Sequence, residues 1–386
     1  MNKKLFILLL ILLVFTSCKK QDSKEISQTI TFDIPFEFGG ISRGIYYDFT
    51  KQRQLFYISE PYTQKKLFFY DLEGAKVDSI PLKEVSNIIQ KIEAIFVRNL
   101  DSIVVFGSEK IVLINKRGQI KVNNDLSKFA ANEKGDLFMF RFSSLSNFSY
   151  SSKKIHVNCS WYNNAFNDYF EKYKVGTLEC GKYYYEQFLK NPDLIAVDNY
   201  LTDSISITFS KENNYKKFHQ KPYAFSEAFY CREIEDELLL FSHYSNLILR
   251  LDKKTMDLVD KIKVISDYST VGVQPVELSK DNHAAFGKVS SQKLQSEASI
   301  FDLLYNEKKE LFYVILAHDF SKKEGQDIKY RPFSILMYDK NLKKVKETKF
   351  DYGTHSPYYC IATQKGLLVL NRYEDEKDKK IFDVYN

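Results

Sequence analysis

Short runs of Ile, Val, Leu, Phe and Tyr recur along the chain, separated by polar turns. Leu55–Ile58, Leu67–Tyr70, Ile103–Phe106, Ile111–Ile114, Leu238–Phe241, Leu247–Leu251, Leu311–Leu316, Ser334–Tyr338 and Leu367–Leu370 are examples. Most have the length of a β-strand, and helical periodicity is scarce. The pattern predicts an all-β chain.

The runs also repeat as a unit: strand, polar hairpin, strand ending in an acid or amide, polar turn, strand. Leu55–Ser59 leads to Leu67–Asp71, and Ile103–Gly107 leads to Ile111–Asn115. Leu238–Ser242 leads to Leu247–Asp252, and Leu311–Ala317 leads to Phe333–Asp339. Asp or Asn at a turn start accepts hydrogen bonds from backbone amides two residues on, which pins the hairpin. Asp71 and Asn115 are 44 residues apart, and Asp252 and Asp339 are 87 apart. Asp198 and Asp383 mark two further units, which makes six. A repeat of about 40–50 residues holding four strands is a β-propeller blade. Six four-stranded blades are predicted, with seven as the alternative if Phe129–Ser152 conceals another.

The ends predict how the ring closes. The last unit, Pro357–Asn386, stops before its fourth strand. Within Thr29–Pro35, the last five residues read Thr-Phe-Asp-Ile-Pro where an internal fourth strand reads Val77-Asp78-Ser79-Ile80-Pro81. An N-terminal strand added to the last blade would leave no open edge.

The first residues follow a different pattern. Lys3 and Lys4 precede an eleven-residue apolar run, Leu5–Phe15, which is too short to span a bilayer as a helix. Thr16, Ser17 and Cys18 follow. This order resembles a bacterial lipoprotein signal (residues 1–17), which implies cleavage before Cys18 and a diacylglycerol on its thiol. Residues 18–28 read as a flexible tether, and 29–386 as one domain. Acidic residues after the Cys mark surface export in Bacteroides-type lipoproteins. Lys19, Lys20 and Gln21 stand there instead, so the expectation is the periplasmic face of the outer membrane. Signal, tether and blade pattern together resemble the uncharacterised six-bladed propeller lipoproteins of Bacteroides-type bacteria, of TolB-like or NHL-like architecture.

Composition adds limits. The chain has 386 residues and a formal charge of +6, which falls to +4 when Lys3 and Lys4 are cleaved away. That balance gives no support for nucleic-acid binding. Aromatic residues make up 15 %. Cys159 and Cys180 flank an irregular stretch and are the expected disulfide of an exported chain. Cys231 and Cys360 lie in apolar runs and read as buried thiols.

No nucleophile elbow, P-loop, dinucleotide fingerprint, zinc-protease motif or EF-hand is present. No metal or cofactor is expected. Candidate binding residues fall in two groups. Arg43 opens the first unit, where a first strand would line the channel, and His243, His318 and His355 lie near strand ends on what would be one rim. The second group is an aromatic-rich insertion at about 161–192, with Trp161, Tyr162, Tyr169, Tyr173 and Tyr184. The spacing of Phe166, Tyr169, Phe170 and Tyr173 predicts a helix there. Ser79, Ser102 and Ser204 each sit in Asp-Ser-Ile, which is similar to the O-glycosylation acceptor of exported proteins in Bacteroides-type bacteria. The leading expectation is a membrane-anchored, non-catalytic module for a protein or glycan partner. The alternative is a glycan-directed hydrolase or lyase, which needs two carboxylates or a metal cluster converging in the central pocket.

Overall fold

The computed structural model describes residues 26–34, 42–60, 65–107, 109–129, 137–141, 153–162, 177–218, 229–274, 286–372 and 378–386. These form six four-stranded antiparallel sheets in a ring, a six-bladed β-propeller. Blade 1 is β2 (Arg43–Asp48), β3 (Arg53–Glu60), β4 (Lys66–Asp71) and β5 (Lys76–Pro81). Blade 2 is β6 (Ala94–Asn99), β7 (Ser102–Gly107), β8 (Lys110–Ile114) and β9 (Ile120–Asp125). Blade 3 is β10 (Leu137–Arg141), β11 (Lys154–Tyr162), β12 (Leu194–Asp198) and β13 (Ser206–Phe209). Blade 4 is β14 (Phe229–Ile234), β15 (Glu237–Ser242), β16 (Leu247–Asp252) and β17 (Leu258–Lys263). Blade 5 is β18 (Ser299–Asn306), β19 (Leu311–Ala317), β20 (Phe333–Tyr338) and β21 (Lys344–Phe350). Blade 6 is β22 (His355–Thr363), β23 (Gly366–Asn371), β24 (Lys380–Tyr385) and, as its outermost strand, β1 (Ile26–Phe32). Part of Phe129–Ser152 supplies β10, the first strand of blade 3, rather than a seventh blade.

The central strands of each sheet are apolar in succession because both faces are buried. Six apolar clusters fill the six blade interfaces. Blades 6 and 1 meet through Phe32, Leu370 and Phe382 against Phe56, Ile58 and Tyr70. The other five lie between blades 1 and 2, 2 and 3, 3 and 4, 4 and 5, and 5 and 6. At burial worth about 25 cal/mol per Å² of apolar surface, this packing dominates the energetics.

The acid-or-amide turns form as the sequence predicts in four blades. Asp71 Oδ1 accepts from the amides of Glu73 and Ala75, and Asn115 Oδ1 from those of Arg117 and Gln119. Asp252 Oδ1 accepts from Lys254 and Thr255, and Asp339 Oδ1 from Asn341 and Lys343. The other two markers do different work. Asp198 pairs with Lys154 at 3.3 Å. Asp383 lies inside β24 and is the polar centre of the ring closure. It accepts from Thr29 Oγ1 of β1 at 2.7 Å, and its other oxygen lies 2.9 Å from His355 Nε2 and Asn371 Nδ2. Burial alone would raise the Asp383 pKa, but these bonds hold it below the usual carboxylate value.

In blades 1 and 2 the third-to-fourth-strand turn also seats the blade on its predecessor. Gly118 has φ +76°, and a Cβ there would lie 2.2 Å from Pro81 O of blade 1. Gly74 has φ +98°, and its Cβ would lie 2.0 Å from Thr31 O of β1. Blade 1 thus uses β1 as blade 2 uses β5, so the closing strand occupies a regular blade position.

Strand direction sorts the connections onto two faces. First-to-second and third-to-fourth turns lie on one face, here the turn face. Second-to-third loops and blade-to-blade connections lie on the other. This second face carries the longer segments, including α1 (Lys83–Ile88), α2 (Leu178–Lys190), α3 (Tyr215–Phe218) and α4 (Phe286–Ser296).

Candidate functional site

On the face with the longer connections, the first strands begin and the central channel opens. Arg43 stands at the start of β2, as the sequence predicts for a channel-lining cation. Two β-bulges bring aromatic side chains beside it. In β18 the register jumps between Ile300 and Asp302, so Phe301 is an extra residue. In β22 it jumps between Ser356 and Cys360, which frees Pro357, Tyr358 and Tyr359 from the ladder. Bulges bend a strand and re-aim side chains in this way. The Arg43 guanidinium donates to Tyr358 O and lies over the Tyr359 ring, 5.1 Å from its centroid. Gly44 follows, because a Cβ there would meet the hydroxyl of Tyr57 at 2.4 Å. That hydroxyl donates to Ile95 O across blades 1 and 2.

The opposite wall carries a second cation. Arg232 Nη2 is 2.7 Å from Asp302 Oδ1, and Arg232 Nε donates to Leu303 O. Asp302 Oδ1 also accepts from the Leu303 amide at 2.8 Å. His243, in the β15–β16 loop, stacks between Tyr230 and Phe301 with centroids 4.8 and 5.2 Å apart. Phe301 continues to Tyr358 at 4.2 Å. Burial pushes His243 down to about 4, with Asp302 and the Phe301 carbonyl offsetting it only in part. The imidazole is neutral at pH 7, and its Nε2 is buried without a hydrogen-bond partner. Burial likewise lowers Arg43, Asp302 raises it, and Arg232 lowers it further. Cys360 is pushed far up by burial and by Asp302, so its thiol is inert.

The remaining sequence candidates divide. His318 and His355 reach the same face but serve the framework. His318 Nε2 is 2.8 Å from Ser334 Oγ, and burial lowers it to about 4. The adjacent Asp319 points elsewhere, accepting from the Ala298 amide and from Ser269 Oγ. His355 belongs to the Asp383 closure. Trp161 and Tyr162 end β11 in register with Phe138 and Leu137, and Tyr184 lies in α2. The insertion therefore joins the second and third strands of blade 3, on the channel-mouth face. Tyr169 and Tyr173, with the helix predicted around them, lie outside the described residues, as does Cys18. Ser79 lies on an outer strand and Ser102 at the start of β7, both half-buried, and Ser204 is exposed ahead of β13.

The expected disulfide is not formed. Cys159 and Cys180 are separate buried thiols. Cys159 Sγ is directed at Pro192 O at 3.5 Å, while Cys180 sits in the first turn of α2 with its amide donating to Thr177 Oγ1. Each cysteine is committed to its own element. Cys231 and Cys360 are buried as expected.

Sequence reasoning missed Arg232, Asp302, Phe301, Tyr358 and Tyr359. It also missed a wholly buried contact between blades 3 and 4. There Glu233 Oε1 accepts from the His156 amide and lies 3.0 Å from its Nδ1, while Oε2 pairs with Lys253 at 3.1 Å. Burial would raise Glu233, but His156 and Lys253 together hold it below the usual value. The available signal was a charge inside an apolar run, as in Phe229–Ile234 and Ser299–Asn306. Among the described residues no group of three or more His, Cys, Asp or Glu is placed to hold a metal ion.

Closed ring, blade count and channel define a six-bladed β-propeller whose inner strands carry a cationic, aromatic-walled mouth. The chain belongs to the DUF4221 family, a domain of unknown function, whose model matches residues 23–349. A member of that family from Bacteroides vulgatus has a similar solved structure, with TM-score 0.68 and 12 % identity, covering 94 % of this chain and 97 % of that one. A luciferin-regenerating enzyme matches at TM-score 0.42 and 8 % identity, over 93 % of this chain and 98 % of that one. The Pan2 WD40 domain of Neurospora crassa matches at 0.38 and 11 %, over 90 % and 79 %. No curated protein matches the sequence.

Proposed function

We propose that this chain is an exported, lipid-anchored binding module that presents its channel-mouth face to a protein or glycan partner. The supporting observation is convergence on one face. Arg43, the bulged aromatics of β18 and β22, His243 and the insertion with α2 all lie where the first strands begin. Rigid sheets position these longer connections, an arrangement that commonly carries recognition. Among the described residues Asp302 is the carboxylate in the mouth cluster, and it is committed to Arg232 and a backbone amide, which favours binding over chemistry by paired carboxylates. Anchoring through Cys18 is supported by the resemblance of residues 1–18 to a lipoprotein signal, and the periplasmic face of the outer membrane by Lys19, Lys20 and Gln21 standing where surface-exported lipoproteins carry acids.

The test is capture of the C-terminally tagged full-length protein from native membranes after crosslinking, with partners identified by mass spectrometry. One stoichiometric partner, lost when the stretch between Trp161 and Pro192 is shortened, is the expected result. A partner that survives this change and is lost on altering the turn face would contradict it.

A further inference from the structure

Two guanidinium groups share one carboxylate at the channel mouth. Asp302 is bound to Arg232 at 2.7 Å, and among the described residues no acid reaches Arg43 within ion-pair distance. The partners of Arg43 are a carbonyl oxygen and an aromatic ring, neither of which neutralises it. With His243 neutral, Arg43, Arg232 and Asp302 keep a formal charge of +1. An uncompensated charge taken out of water is unfavourable, so a desolvated arginine with no acid partner is poised for an anion. The position is not sealed. Arg43, Tyr358, Tyr359, Phe301 and His243 are crowded by protein yet each keeps accessible surface. Two bulges, rather than regular pairing, put Phe301, Tyr358 and Tyr359 there.

From this geometry we infer that the channel mouth is a binding site for a small ring-borne carboxylate. Arg43 receives the carboxylate, and the ring lies against Tyr358, Tyr359 and Phe301. A planar guanidinium matches a carboxylate with two parallel hydrogen bonds. Aromatic faces accept the apolar face of either a sugar or an aryl ring. Both sources share this chemistry, and glucuronate and benzoate separate them. The inference rests on the reading of this face as the binding face. The titration uses the purified chain alone, so its failure and a failed partner capture are independent results.

The experiment is calorimetric titration of the full-length protein in detergent. Glucuronate is compared with glucose, and benzoate with benzyl alcohol. One carboxylate is expected to bind with a Kd below about 1 mM, at least about tenfold tighter than its neutral counterpart. Arg43→Met is expected to lose that binding while its thermal midpoint stays level or rises, because a buried unpaired charge has gone. Three results overturn the inference: no carboxylate binding at about 10 mM, equal binding of the neutral counterpart, or unchanged binding by Arg43→Met. A midpoint lowered by several degrees in Arg43→Met makes Arg43 a framework group and overturns it as well.

Discussion

Phe32→Ala tests whether β1 is a working fourth strand of blade 6. Phe32 is fully buried, and its ring stands edge-on to Phe56, Tyr70 and Phe382 at 5.2, 5.8 and 5.6 Å. Two of those three rings belong to blade 1, so the substitution opens a cavity at the junction of first and last blades. Losing a buried Phe costs about 3–5 kcal/mol, the lost aromatic contacts included. With about 2.1 cal/mol/K of unfolding entropy per residue, a loss of ~4 kcal/mol lowers the midpoint of a chain this size by roughly 5 °C. Chemical and thermal unfolding measure both quantities. Val345→Ala is the control, because Val345 is 61 % exposed on an outer strand and its loss should stay within about 0.5 kcal/mol. A Phe32→Ala cost below about 1 kcal/mol would refute the closure argument.

Three further outcomes follow. Gly118→Ala places a methyl 2.2 Å from Pro81 O in left-handed backbone, whereas Gly325 has a similar φ of +74° and open space around it. Gly118→Ala should therefore cost more than the roughly 1–3 kcal/mol of backbone strain that Gly325→Ala incurs, and equal losses in unfolding experiments would remove the blade-seating role. Acidification should destabilise the protein through His243 and His318, both held near 4 against an ordinary 6.5. Their unfolded forms bind protons first, so stability is full above about 6.5 and falls towards 4, by on the order of 3 kcal/mol each. Asp193, raised by burial to about 6, acts in the opposite direction below that pH. Unfolding of His243→Gln against pH should show a shallower acid slope, and an unchanged slope would contradict the assignment. Cys18→Ser should abolish fatty-acid labelling and release the protein from the membrane fraction, and labelling that persists would contradict lipidation at Cys18.

The fold was legible because blades repeat a local signal. Asp71, Asn115, Asp252 and Asp339 each fix their own turn within four residues, so the sequence shows them without knowledge of distant contacts. Closure was legible for a similar reason, since Thr29–Pro35 echoes an internal fourth strand. Asp198 and Asp383 mark blades 3 and 6 as predicted, but their partners, Lys154 for one and Thr29 and His355 for the other, lie across the sheet rather than in a local turn. The site was only half legible. Arg43 and His243 stood out as polar residues at strand ends. Arg232 and Asp302 are 70 residues apart and meet only because blades 4 and 5 pack face to face. The bulges at Phe301 and at Pro357–Tyr359 are departures in register, which periodicity does not reveal. Cys159 and Cys180 looked paired by proximity in sequence, but strand and helix direct them to different neighbours.

Recognition is assigned to the channel-mouth face. Site-specific photocrosslinking in native membranes tests it directly. A photoreactive residue is placed at exposed Lys182 or Lys322 on the mouth face, or at exposed Lys116 or Lys254 on the turn face. Crosslinks to a common partner from Lys182 and Lys322, and none from Lys116 and Lys254, are the expected result. Crosslinks confined to the turn face, or equal from both, would contradict the account.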